Sequence, residues 1–211
     1  MKLWIKTNPL IKALFPKYVW SIPNTEKKVW LTFDDGPIPE ITEWVLSELE
    51  KFHAKATFFC IGDNIHKHPE VFKKIIASGH AIGNHTFNHL QGWKTQTSDY
   101  IENVEKCALE MTQHENTNSK LFRPPYGKIK PAQAKMLRKL GYKIIMWDVL
   151  SADFNQAITP QQCLDNVVSN IASGSIIVFH DSLKAFPNLE YTLPKTLKFL
   201  SENGYTCEVL V

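Results

Sequence analysis

The sequence contains no apolar run of the about 18 residues or more that a bilayer-spanning helix needs. It has no basic stripe either. Its 24 Lys and Arg stand against 21 Asp and Glu, mixed along the chain, and the net charge is only +3. A nucleic-acid partner is therefore not expected. The four cysteines, Cys60, Cys107, Cys163 and Cys207, form no CxxC pair. That argues against a cysteine zinc site or a disulfide scaffold, and for four reduced, mostly buried thiols in a reducing compartment. No internal repeat is visible. The 12 prolines are scattered, which suggests many defined loops rather than one linker.

The first twenty residues, "MKLWIKTNPLIKALFPKYVW", are basic and apolar, but Lys6, Pro9, Lys12 and Pro16 interrupt the apolar stretches. A small-residue cleavage site is lacking, so the stretch does not match a secretory signal. Asn8 and Pro9 can start a helix that Pro16 ends, with Leu10, Ile11, Leu14 and Phe15 apolar. The expectation is an extension, residues 1–28, packed on the body, with a membrane-surface foot as the alternative. The compartment expected by default is cytoplasmic, with the membrane periphery or cell envelope as alternatives.

What is present is ample for a core: 44% hydrophobic residues, 12 Phe and 6 Trp in 211 residues, a length that suits one domain. From residue 29 onward, short apolar runs alternate with helical patterns. Strands are expected at 29–33, 54–62, 80–85, 120–125, 142–149 and 175–180, with a last one at 205–211. Helices are expected at 39–52, from Pro69 to Gly79, at 97–113, from Pro131 to Gly141, from Thr159 to about Ala172, and from Pro194 to Asn203. Repeated strand–helix units imply a parallel sheet covered by helices. Near-continuously apolar strands fit burial on both faces. About seven units fit in residues 29–211, one short of the common eight-unit barrel.

In such folds reactive residues gather where strands end. The strand ends here supply Asp34 and Asp35, then His85 and His89, then Arg123 and Tyr126, then Trp147, Asp148 and Asp153, and last His180 and Asp181. Each motif alone has an ordinary reading: a turn or helix cap for Asp-Asp, a stiff loop for "RPP", a structural histidine after a strand. His85 and His89, spaced HxxxH, would share one helical face and could hold one metal ion. Two histidines and one carboxylate form a catalytic zinc set with a position left for water. A divalent cation would also relieve the repulsion between Asp34 and Asp35. One carboxylate would ligate it, and the other would take a proton from the bound water. Gly36 and Pro37 would supply the turn that lets both face one pocket.

These stretches together resemble the NodB-homology polysaccharide deacetylases, carbohydrate esterase family 4. "TFDDGP" (32–37), "HTFNH" (85–89), "RPPYG" (123–127), "WDVLSADF" (147–154) and "IVFHD" (177–181) correspond in order to the family's five motifs. The resemblance covers about residues 29 to 209 and implies a distorted (β/α)7 barrel. It implies metal-dependent removal of N-acetyl groups from an amino-sugar glycan, peptidoglycan- or chitin-like, with release of acetate. It further implies Asp34 as general base, Asp35, His85 and His89 as metal ligands, and Arg123 as the partner that orients Asp34. The Tyr126 N–H would face the oxyanion, His180 would be the general acid, and Asp153 would hold His180. Pro124, Trp147 and Val178 would border the acetyl pocket. The ligand set points to Zn2+, with Co2+, Ni2+ or Mn2+ able to substitute. Three positions depart from the family pattern: Phe154 stands for Trp, Leu150 for Asp and Val178 for Leu. All three leave metal ligands, base and acid in place. The alternatives are an acetyl-ester (xylan-type) esterase, a small-molecule amide or imide hydrolase, and a non-catalytic sugar-binding module. Trp93, Tyr126 and Trp147 are candidate surfaces for sugar rings.

Overall fold

The structure, a computed structural model, describes residues 4–114 and 119–211. Its elements run α1 (Pro9–Leu14), β1 (Lys28–Asp34), α2 (Ile41–Lys51), β2 (Ala56–Cys60), α3 (Gly62–Lys67), α4 (Pro69–Ala77), β3 (Ala81–Asn84), α5 (Thr97–His114) and β4 (Leu121–Phe122). They continue with α6 (Pro131–Lys139), β5 (Lys143–Ile144), β6 (Val149–Leu150), α7 (Pro160–Val168), β7 (Ile176–His180), α8 (Phe186–Glu202) and β8 (Thr206–Cys207). Seven strands form a parallel half-barrel in the order β5-β4-β3-β2-β1-β7-β6, and β8 adds to the start of β1. With helices packed outside, this is a distorted (β/α)7 barrel in one domain, as the motif resemblance implied.

Alternation along the strands explains the two-sided burial. Val29, Leu31 and Phe33 join the outer core with Val45, Leu49, Leu193 and Leu197 of α2 and α8. The alternate positions Trp30, Thr32 and Asp34 are also buried but belong to the barrel interior. Asp34 thus arrives at the strand end on the inner face. On β7 the same alternation places Ile177 and Phe179 outside and His180 in register beside Asp34.

Several expectations change. The expected strand 142–149 is broken into β5 and β6, because the Ile145 and Met146 carbonyls turn towards the buried Arg123 guanidinium instead of a neighbouring strand. The expected helix from Pro194 begins earlier, at Phe186, and carries Pro194 inside it. Burial of Leu189, Leu193, Leu197 and Leu200 along one face outweighs the about 3 kcal/mol an internal proline costs. The expected strand 54–62 stops at Cys60, and helix α3, which the apolar run does not predict, follows it directly. His85 and His89 lie not on a helix but on the loop after β3, where Thr86 (φ 66°) and His89 (φ 53°) are left-handed.

The half-barrel's two terminal strands, β5 and β6, both bond the N-terminal segment. Leu150 N–H donates to Ile5 O (2.8 Å), Thr7 N–H to Asp148 O (2.9 Å) and Met146 N–H to Val19 O (2.7 Å). Lys6 and Lys12 each reach the buried Asp148 carboxylate at 2.5 Å. Asn8 caps α1 by accepting the Leu10 N–H (2.8 Å), as the sequence suggested. Leu10, Leu14 and Phe15 of α1 and its end stay exposed, while Ile5, Tyr18, Val19, Trp20 and Ile22 on either side pack against the core. All four cysteines are free.

Candidate active site

The strand ends bring the five motifs to one place. Arg123, fully buried, donates from one guanidinium nitrogen to Asp34 Oδ1 and Thr32 Oγ1, both at 2.7 Å. It donates also to the Met146 carbonyl (2.9 Å), and its guanidinium lies 4.2 Å from the Phe59 ring centre. A buried ion pair is tolerable only when its remaining polar atoms find such partners. Burial alone would raise the Asp34 carboxyl. The Arg123 cation, with His85 and His180, outweighs it and holds Asp34 below the usual carboxylate range.

Asp35, His85 and His89 converge, with one donor atom from each lying within 4.8 Å of the others. The His85 Nδ1–H donates to the Arg123 carbonyl at 2.8 Å, which leaves Nε2 with its lone pair facing Asp35. Burial lowers His85 to about 4 and also lowers His89, so both imidazoles are neutral near pH 7. Asp35 Oδ1 is buried with no hydrogen-bond partner, 3.2 Å from His89 Nε2 and 3.8 Å from His85 Nε2. Two neutral imidazoles facing an orphaned carboxylate oxygen make a donor set that fits one divalent cation.

His180 is in the opposite state. Burial disfavours its charge, but Asp153, with Asp35 and Asp34, overcomes that and raises it to about 9. Asp153 Oδ1 meets His180 Nδ1 at 2.7 Å, while Oδ2 accepts the His180 backbone N–H at 2.7 Å. Phe154 packs edge-on against His180 at 5.0 Å between ring centres.

Tyr126 is left-handed (φ 61°) in a 3-10 turn whose Gly127 and Lys128 N–H groups close on the Pro124 and Pro125 carbonyls. The Tyr126 N–H stands outside that pattern, and its exposed ring lies 4.7 Å from His89. Gly127 is required where it stands: its φ is +66°, and a Cβ would come within 2.7 Å of Trp147. Trp147 is half-buried over this turn. Pro124 and Val178 are buried, and Val178 packs with Leu150, Ala152 and the N-terminal Ile5. Trp93 is exposed beside the same loops, donating to Ile129 O at 3.2 Å.

The sequence reading did not single out Thr32, Asn103 or Asn188. Thr32 could have been found, since it lies two residues before Asp34 on the same strand face. Asn103 Oδ1 accepts the Phe87 and Asn88 N–H groups of the histidine loop, and Asn188 donates to the Asp153 carbonyl at 2.9 Å. Both sit on helices remote in sequence, where no local pattern marks them.

Residues 21–145 match the polysaccharide deacetylase family. The chain belongs to that family. A peptidoglycan-N-acetylglucosamine deacetylase of Bacillus cereus is 35% identical over 188 residues, 88% of this chain and 87% of that protein. Other matched peptidoglycan deacetylases are longer: the chain spans 60% of a second from Bacillus cereus and 38% of PgdA from Listeria monocytogenes. Among solved structures, the Bc1960 peptidoglycan N-acetylglucosamine deacetylase, crystallised with an N-oxidanyl-benzamide, superposes with a TM-score of 0.89. That match has 31% identity and covers 96% of this chain and 94% of that one. A mutant of a pseudoenzyme of carbohydrate esterase family 4 with restored activity gives a TM-score of 0.81 at 25% identity, covering 89% and 67% of the two chains. Polysaccharide deacetylase folds thus occur with and without activity, so the fold alone does not establish catalysis.

Proposed function

We propose that this polysaccharide deacetylase is a metal-dependent hydrolase that removes N-acetyl groups from amino sugars of a peptidoglycan- or chitin-like glycan. The observation that carries this reading is the orphaned Asp35 oxygen facing two neutral imidazoles, with an Arg-paired Asp34 beside it. A divalent cation held by Asp35, His85 and His89, best zinc and replaceable by cobalt, nickel or manganese, would supply a Lewis acid and an acidified water. Asp34, kept ionised and oriented by Arg123, takes the proton of the attacking water. The Tyr126 N–H stabilises the negative charge that develops on the amide oxygen. His180, charged through its contact with Asp153, returns a proton to the departing amine. Pro124, Trp147 and Val178 enclose the acetyl methyl group, and Tyr126, Trp147 and Trp93 offer faces to sugar rings. The pseudoenzyme alternative is disfavoured by the complete base, ligand and acid set.

The same machinery could act on an acetyl ester. An amide leaving group needs a proton more than an alcohol does, and an acid raised to about 9 suits the amide. The test is acetate release from N-acetylglucosamine oligomers and from acetylated xylan, before chelation, after it, and with zinc restored. Release from the amide substrate that stops on chelation and returns with zinc is expected. Release confined to xylan, or indifferent to chelation, would overturn the reading.

A further inference from the structure

We propose that Asp181 is a positioning residue that holds the Asp34–Asp35 turn in the shape that presents both the base and the metal ligand. This rests on the proposed roles of those two aspartates. Asp181 is fully buried at the end of β7, next to His180. Its backbone N–H donates to the Asp34 carbonyl at 3.1 Å. Its Oδ1 accepts the Gly36 N–H at 3.0 Å, and its Oδ2 accepts the Thr42 hydroxyl at 2.6 Å. Thr42 Oγ1 accepts in turn the Ile38 N–H at 2.8 Å. Asp35 is therefore clamped from both sides, through Asp34 before it and Gly36 after it.

Two further observations make this more than local packing. Asp35 is left-handed, with φ 84°, a backbone state that persists only where surroundings over-determine it. Gly36 approaches Asp181 so closely that a Cβ would lie 2.0 Å from Oδ2. The partners of the carboxylate are neutral, and burying a carboxylate beside neutral groups is costly. Two acceptor oxygens aimed at one turn account for its presence: one oxygen takes the backbone of the turn, the other takes the first turn of α2. The clamp also ties the base strand to the strand that carries His180.

The test compares Asp181→Asn, Thr42→Val and Thr42→Ser with the wild type. Zinc affinity of the metal-free protein is measured by competition with a chromophoric chelator. kcat and KM are measured at saturating zinc on N-acetylglucosamine oligomers, and hydrogen exchange is followed at the Gly36 N–H. Asp181→Asn should bind zinc about tenfold more weakly, the loss typical when support of a ligand is removed. Its kcat should fall with KM unchanged, and Gly36 should exchange faster. Thr42→Val should lie between, and Thr42→Ser, which keeps the hydroxyl, should recover wild-type affinity. Unchanged zinc affinity and kcat in Asp181→Asn would overturn the proposal. Should that variant not fold, equal zinc affinity in the Thr42→Val and Thr42→Ser pair would overturn it. A wild type without zinc affinity would refute the metal reading instead, and unchanged Gly36 exchange in the variants would then refute the clamp.

Discussion

Asp34 and Asp35 are neighbours in sequence yet live in different environments. Successive strand residues face opposite sides, and the left-handed backbone of Asp35 turns its carboxylate back to the side Asp34 faces. The Asp-Asp pair was legible in the sequence, but that backbone state was not, because a left-handed φ at a non-glycine residue is imposed by tertiary surroundings. The proposed acid shows the same division by environment. His180 is charged below about pH 9 and loses its proton as pH rises through that value. Turnover should therefore decline on the alkaline side near pH 9. Asp153→Asn removes the partner that opposes burial, so the alkaline limb should move to lower pH. A pH–rate profile of kcat checks this, and a limb that stays in place would remove Asp153 from that role.

Elements were easier to find where both faces of a strand are apolar. β1, β2 and β7 were legible for that reason, and so was the count of strand–helix units. The structure departs from the local signal where a tertiary partner overrides it. Arg123 draws the Ile145 and Met146 carbonyls out of the expected strand, and a buried leucine face carries α8 through Pro194. The histidine loop belongs with these, because its geometry depends on Asn103 of α5. At this scale the turn after Arg123 makes a prediction. Gly127→Ala combines a left-handed φ with a contact into Trp147, so it should cost more than about 1 kcal/mol. Thermal unfolding measures it, and an unchanged midpoint would mean that Trp147 moves freely away.

The whole molecule is a half-barrel whose terminal strands are joined through the N-terminal segment. Asp148 anchors that segment through Lys6 and Lys12, and accepts the Ser175 hydroxyl from just before β7 as well. Asp148→Asn should cost about 2 kcal/mol, the worth of hydrogen bonds to a charged group, and should leave zinc affinity intact. Denaturant midpoints and chelator competition would separate those effects. Zinc at about 100 times its Kd should stabilise the fold by about 2.7 kcal/mol. A melting midpoint unmoved by zinc would argue against a site formed in the native state.

In the proposed mechanism two adjacent aspartates divide the work, Asp35 holding the metal and Asp34 moving the proton. Zinc binding and acetate release measured together on Asp34→Asn test it most directly. Wild-type zinc stoichiometry is expected, with turnover reduced by about a hundredfold or more. Retained turnover, or zinc lost together with turnover, would contradict it.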